Sequence, residues 1–257
     1  MDKPRLILGL DVSTACIGVS IVLDDGKEIP KVVLLTHISP KVHNKETGFE
    51  SLIIKKDAFE NEFLVTLQNS GITDCVIEEP LLSSNNVNTV ATLLRFNGMV
   101  GEAVHRILGI VPDFISSHDA RLYSFPNLAA LRRFNKKGEE YTLDHIQTAI
   151  KKNHLVLFGD YPFDIDKKMV MMNQVQELYP DITWVRNKKG ELKKQNFDAC
   201  DSLVCSLAYI NLYRNDNKKE IPEITIAETT KTPGEPTEID YTTKIWNRTY
   251  QKKLIIH

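Results

Sequence analysis

Several things are scarce in this chain, and each scarcity removes a class of function. Four cysteines occur in 257 residues. Cys16, Cys75, Cys200 and Cys205 each stand alone in an apolar segment, without Cys-x-x-Cys pairs or metal-ligand spacing. They read as buried, reduced thiols of a cytoplasmic protein. The seven histidines show neither His-x-His nor His-x-x-x-His spacing, so none is assigned to a metal. No apolar run approaches the ~20 residues that a bilayer requires, and Met1-Asp2-Lys3-Pro4 does not read as a signal peptide, so no membrane partner is expected. Neither sign of charge is in excess: 32 Lys and Arg face 34 Asp and Glu, a net charge of -2. A nucleic-acid partner would have to be met by a local basic surface. No internal repeats are read.

What is present is an ordinary globular composition, 42% hydrophobic and 26% charged, with ample material for a core. The chain is organised around Leu6-Ile7-Leu8-Gly9-Leu10-Asp11-Val12-Ser13-Thr14, followed by Cys16 to Leu23. So dense a run of Leu and Ile predicts a strand buried on both faces. Ser13, Thr14 and Gly18 supply turn chemistry, and a second strand returns as a hairpin. Lys31–His37 reads as a third strand, Phe49–Asn69 as an amphipathic helix stopped by Gly71, and Asp74–Glu79 as a buried strand that Pro80 ends. A long helix over Val90–Leu108, a strand over Val111–Ser116 and a short helix from His118 follow. The expected fold is therefore α/β, a mixed five-stranded sheet flanked by helices. Residues 126–162 read as a basic helical insertion, Asp166–Leu178 and Phe197–Tyr213 as helices. Residues 215–257, rich in Thr, Pro, Glu and Lys, read as a linker and C-terminal tail, leaving 1–214 as the main domain.

Three acidic clusters fall on these elements. Asp11 ends the first strand, where a carboxylate is costly to bury unless a cation or donor meets it; a turn-capping acid is the plainer alternative. Glu78 and Glu79 end the fourth strand, and alternation sends Glu79 to the opposite face from Glu78. Asp198 and Asp201, three apart, share one face near the start of an apolar helix, where the dipole favours negative charge. Capping explains Asp198 alone but not a second acid one turn later. If the sheet and helix bring these acids together, their repulsion is relieved by divalent cations, and hard oxygen ligands suit Mg²⁺ or Mn²⁺. Two such ions would serve phosphodiester hydrolysis.

The order of these segments resembles the RuvC-like Holliday junction resolvases, of the RNase H-like fold. Leu8-Gly9-Leu10-Asp11-Val12-Ser13-Thr14 with Gly18 resembles the family's opening strand. Val76-Ile77-Glu78-Glu79-Pro80, with Asn85 and a helix reaching Gly98, is similar to its second acidic segment. Asp198-Ala199-Cys200-Asp201-Ser202-Leu203 is similar to its closing helix. The resemblance spans Leu6 to about Tyr213, apart from the insertion. It implies metal ligands at Asp11, Glu78, Asp198 and Asp201, two Mg²⁺ or Mn²⁺ ions, and a homodimer cutting four-way or branched DNA in recombination and repair. Bacterial members carry an aromatic wedge three residues after the glutamate; here Leu81 stands there, so unstacking falls to Leu81 or Leu82 or to another residue, and Leu81 and Asn85 join the candidates for DNA contact. The segment from Pro126 to Pro162 is longer than the bacterial pattern and in this resembles divergent phage or viral members, which would act in the host cytoplasm. Sugar-kinase and actin-like ATPases share the opening motif but need Gly-rich phosphate segments that this chain lacks. A non-catalytic junction-binding protein would not need Asp201. Flaps, replication intermediates and RNA–DNA hybrids remain alternative substrates.

Basic residues concentrate between the last two acidic clusters. Arg121, Arg132, Arg133, Lys136, Lys137, Lys167, Lys168, Lys193 and Lys194 are the candidates for DNA contact. Any one pair also suits a plain solvated face. Lys167 and Lys168 open a helix that resembles the family's lysine-bearing helix beside the metals; either could help neutralise the scissile phosphate, and Lys168 is the one taken as catalytic.

Overall fold

A computed structural model describes residues 3–41, 48–80, 86–230 and 235–256. In chain order its elements are β1 (Arg5–Val12), β2 (Ile17–Asp24), β3 (Lys31–Ile38), α1 (Gly48–Glu62), β4 (Asp74–Glu79), α2 (Val87–Leu108), β5 (Asp113–Ser116) and α3 (Ser117–Ser124). These are followed by β6 (Ala129–Leu131), α4 (Leu143–Lys151), β7 (Leu155–Leu157), α5 (Lys167–Leu178), α6 (Gln195–Tyr213), β8 (Glu223–Thr230), β9 (Thr237–Ile245) and β10 (Arg248–Ile256). Two compact units result: Met1–Ala120 with Met172–Asn211, and Arg121–Met171 with Leu212–His257.

The first unit holds a five-stranded sheet in the order β3-β2-β1-β4-β5. The first three strands are antiparallel, while β4 runs parallel to β1 and β5 parallel to β4. This is the mixed five-stranded sheet flanked by helices expected from the sequence. Alternation divides the central strands between two helical layers. Leu8, Leu10, Val19, Ile21, Cys75 and Ile77 pack against Leu52 and Phe59 of α1 and Phe96, Val100 and Val104 of α2. Asn86 caps α2 by accepting from the Thr89 amide at 3.2 Å, and Gly109 ends it at φ 73°. The opposite face of the sheet receives α6. There a Cβ on Gly9 would overlap Ser206 Oγ, the Ser202 carbonyl and Ser20 Oγ, and one on Gly18 would overlap the Asp198 carbonyl. Glycine at these two positions lets the helix backbone lie directly on the strands. Ser20 Oγ seals the contact, 2.9 Å from the Ser202 carbonyl and 2.8 Å from Ser206 Oγ.

The second unit differs from expectation. Residues 126–162 are not a helical insertion: α4 is the one α-helix among them, and the apolar runs on either side of it pair as the β6–β7 ribbon. Nor are 215–257 a linker and tail. Residues from β8, β9 and β10 form a three-stranded antiparallel sheet. Ile239, Tyr241, Leu254 and Ile256 are buried with Leu131 and Ile146 in one core. The physical reason is a period of two that bulk composition conceals: along β9 Thr237, Ile239, Tyr241, Thr243 and Ile245 are buried and their neighbours are less so. Threonine also suits a pleated, half-buried surface. Among the described residues, no helix is long and apolar enough to cross a membrane.

Candidate metal centre

Leu10 lies opposite Ile77 in the parallel β1–β4 ladder. One step further along each strand come Asp11 and Glu78, so both carboxylates leave the same face of the sheet at the carboxyl ends of adjacent strands. That face is the one covered by α6, whose second turn carries Asp201. Carboxylate oxygens of Asp11, Glu78 and Asp201 all lie within 4.8 Å of one another. Asp201 is buried and the other two are half-buried. Glu79 is exposed at the end of β4, as alternation requires.

Local structure holds the end of β1 and the Glu78 carboxylate in place. The turn after Asp11 is closed by the Ser13 amide and hydroxyl, both donating to the Cys16 carbonyl at 3.0 and 2.8 Å. Buried Asn97 of α2 donates to the Val12 carbonyl at 3.3 Å, which pins the strand end that bears Asp11. Lys55 of α1 donates to the Thr14 carbonyl at 2.6 Å. The Cys205 thiol, one turn beyond Asp201 on α6, donates to Glu78 Oε2 at 3.9 Å. The sequence alone assigns no role to Asn97, Lys55 or Cys205. Only their burial or their helical spacing from an acid of the cluster could have marked them.

Asp198 is not part of the three-carboxylate group. It stands half-buried in the first turn of α6, its backbone carbonyl over Gly18 and its carboxylate near the Cys16 thiol. Burial is the main influence pushing Cys16 up to about 12; Ser39 opposes it, and Asp198 and Asp11 add to it. That thiol therefore stays protonated at neutral pH.

The other sequence-assigned residues fall as follows. Leu81 and Asn85 lie outside the described residues. Lys193 and Lys194 are exposed, immediately before α6. In the second unit, Lys167 and Lys168 are exposed at the start of α5, where Asp166 Oδ1 accepts from the Lys168 amide at 3.0 Å. Lys136 and Lys137 are exposed on a hairpin, and Arg121 is half-buried on α3. Two arginines are engaged locally. Arg133 Nη2 donates to Glu140 Oε1 at 2.7 Å, and Arg132 lies 5.5 Å over the Phe163 ring.

Three carboxylates this close repel one another, and their oxygens are the hard donors that Mg²⁺ and Mn²⁺ prefer. The donor set fits such an ion.

No protein-family model matches the chain, and no curated protein matches it. Among solved structures it is similar to Thermus thermophilus RuvC, at 14% identity and a TM-score of 0.48, over 82% of this chain and 97% of that one. The same protein in complex with Holliday junction substrate matches at 11% and 0.48, over 82% and 96%. The yeast mitochondrial Holliday junction resolvase Ydc2 matches at 10% and 0.43, over 83% and 82%. An Aquifex aeolicus PPX-GPPA enzyme is similar at 13% and 0.32, over 49% of this chain and 40% of its own. At these identities and scores no activity is carried from any of them to this chain.

Proposed function

We propose that the chain is a metal-dependent endodeoxyribonuclease that hydrolyses phosphodiesters of four-way or branched DNA at Asp11, Glu78 and Asp201. The observation that carries the reading is the meeting of three carboxylates, from two strands and a helix far apart in sequence, within 4.8 Å. Structural acids are seldom gathered in this way, because the repulsion is a standing cost to the fold. A divalent ion held there would polarise a phosphoryl oxygen and lower the pKa of an attacking water.

The chain's own residues supply the rest. Asp201 sits on a helix fixed to the sheet by Gly9 and Gly18, so its carboxylate is held with little freedom. Asp11 and Glu78 keep part of their surface open, the side from which a phosphate can approach. Cys205 orients Glu78. Asp198, one turn before Asp201, is the residue we assign to a second ion. By the resemblance alone, Lys168 or Lys167 at the start of α5 is assigned to meet the charge of the scissile phosphate. The choice of branched DNA rests on the resemblance of the three acidic segments, in order, to RuvC-like resolvases.

Paired symmetric cuts in a near-two-fold junction call for two sites, so we assign a homodimer. The surface we assign to it is a groove where α1 and α2 meet, lined by Phe49, Ile53, Gly98 and Met99 together with the charged Lys56, Arg95 and Glu102; Phe49 and Ile53 are exposed there. Light scattering with and without junction DNA tests it, and a monomer under both conditions rejects it.

The function is tested by incubating the purified chain with labelled four-way junction, flap, duplex and RNA–DNA hybrid in Mg²⁺ or Mn²⁺, with Asp201→Asn alongside. Junction cleavage that disappears in the variant is expected. Cleavage of flap or hybrid alone would replace the substrate, and no cleavage of any would overturn the nuclease reading.

A further inference from the structure

The pentapeptide Asn-Lys-Lys-Gly-Glu occurs twice, at 135–139 and 187–191, a short repeat in a chain with no longer one. Both copies are hairpin tips closed by an isolated bridge, Phe134 with Glu140 in one and Arg186 with Leu192 in the other. Their internal bonding is the same. Asn135 Oδ1 accepts from the Lys137 and Glu139 amides at 2.8 and 3.1 Å; Asn187 Oδ1 accepts from Lys189 and Glu191 at 2.8 and 3.0 Å. In each, the asparagine Nδ2 donates to the glutamate carboxylate at 2.8 Å. The glycines take the left-handed conformation, at φ 81° and 83°.

This bonding accounts for three of the five residues. Asparagine and glycine make the turn, and the glutamate is drawn in by the asparagine. It does not account for the lysines, whose backbone any residue could supply. All four lysines are exposed, and none is in an ion pair among the described residues. Both turns therefore present two ammonium groups on a rigid support at positions where the fold asks for no particular side chain.

The second copy has a further tie. Asn196, in the first turn of α6, bonds Val185 through both its amide groups, Oδ1 to the Val185 N–H at 3.0 Å and Nδ2 to its carbonyl at 2.7 Å. The Lys193 amide closes the same base on Val185 at 3.1 Å. The hairpin is thus fastened to the helix two residues before Asp198 and five before Asp201.

We infer that the two hairpins are matched grips for nucleic-acid phosphates. The one at 187–191 is fixed to the helix that carries Asp201; the one at 135–139 belongs to the other unit and grips phosphates there. Lys188 and Lys189 thereby enter the DNA interface beside Lys136 and Lys137. The inference rests on the nuclease reading for its partner.

The test measures binding of the full chain to labelled duplex and four-way junction in EDTA, across a salt series. The variants are Lys136→Ala/Lys137→Ala, Lys188→Ala/Lys189→Ala and the quadruple change. Removing one lysine–phosphate pairing flattens the log–log salt dependence on duplex by about 0.9, so a pair of lysines should flatten it by about 1.8. The Lys188→Ala/Lys189→Ala pair should also slow junction cleavage at sub-saturating DNA. Unfolding curves matching wild type establish that the variants are folded, as expected for exposed side chains outside the turn bonding. Unchanged salt slopes in both pairs, with wild-type binding intact, would overturn the grips and leave the nuclease standing. Flattened slopes in the variants of a chain that cuts nothing would sustain the grips and sink the nuclease. A wild type that neither binds nor cuts would overturn both.

Discussion

Gly9 of β1 lies under Ser206 of α6 so closely that a single added methyl group would overlap the serine hydroxyl. The same methyl would meet the Ser202 carbonyl, one residue beyond Asp201. The position of the buried carboxylate is thus decided at a residue with no side chain.

Gly9→Ala should therefore push α6 off the sheet. Overpacking of this kind costs about 1–3 kcal/mol, read as a lower denaturation midpoint. Cleavage should fall further than stability, because Asp201 moves with the helix. Pairing the change with Ser206→Gly should restore little, since the Ser202 carbonyl still blocks the methyl. A Gly9→Ala protein with wild-type midpoint and activity would show that the helix does not depend on this contact.

Asp201→Asn, Asp11→Asn and Glu78→Gln should each abolish cleavage while leaving DNA binding in EDTA near wild type. Without metal, each should melt a few degrees higher, since one of three crowded charges is gone and ~1 kcal/mol corresponds to about 2–4 °C in a domain of this size. With Mn²⁺ at 100 times its dissociation constant, the wild type should gain about 2.7 kcal/mol and these variants much less. Asp198→Asn, outside the three-carboxylate group, should retain most of that gain. Melting scans with and without Mn²⁺ decide between these outcomes.

At the opposite end of β1, Arg5 pairs with Asp74, and Tyr209 of α6 donates to Asp113 at 2.9 Å and Asp74 at 3.3 Å. Burial raises the Asp74 pKa, but Arg5, Thr73 and Tyr209 together outweigh it and hold the carboxyl below its ordinary 3.8. A depressed folded-state pKa adds stability that is fully present above the unfolded value and disappears as pH falls through the folded one. Wild type should accordingly lose stability on acidification below about pH 4 more steeply than Asp74→Asn. The variant should be the less stable at pH 7, with the gap closing in acid. Urea unfolding at pH 7, 5, 4 and 3 measures this, and parallel curves would remove the ion pair as a source of stability.

Ending the chain after residue 214 should unfold the second unit. The cut removes Ile239, Tyr241, Leu254 and Ile256 from a core they share with Leu131 and Ile146. Each large apolar side chain taken from a core costs about 2–5 kcal/mol, so the four together are comparable with the whole ~5–15 kcal/mol that holds a domain folded. Rapid proteolysis within 121–171 is expected. A truncated chain as resistant as the full one would mean that the sheet is dispensable.

Strand identity and the acidic positions were legible from sequence because they depend on local pattern. The apolar run from Leu6 to Leu10 needs cover on both faces; alternation puts Glu78 and Glu79 on opposite faces, and the resemblance selects Glu78. Spacing also put Asp198 and Asp201 on one helix face, but spacing does not state how a helix is turned against a sheet. Gly9, Gly18 and the serines decide that: they bring Asp201 to Asp11 and Glu78 and set Asp198 beside Cys16. The C-terminal sheet escaped because its alternation is written partly in threonine, which composition counts as polar and a pleated surface accepts. Lys136 and Lys137 were legible as a basic pair, but the matching of the two hairpins escaped for another reason. A five-residue repeat carries little weight until the same hydrogen bonds appear in both copies. Local chemistry chose the elements and their residues; contacts between segments far apart in the chain decided which carboxylates meet.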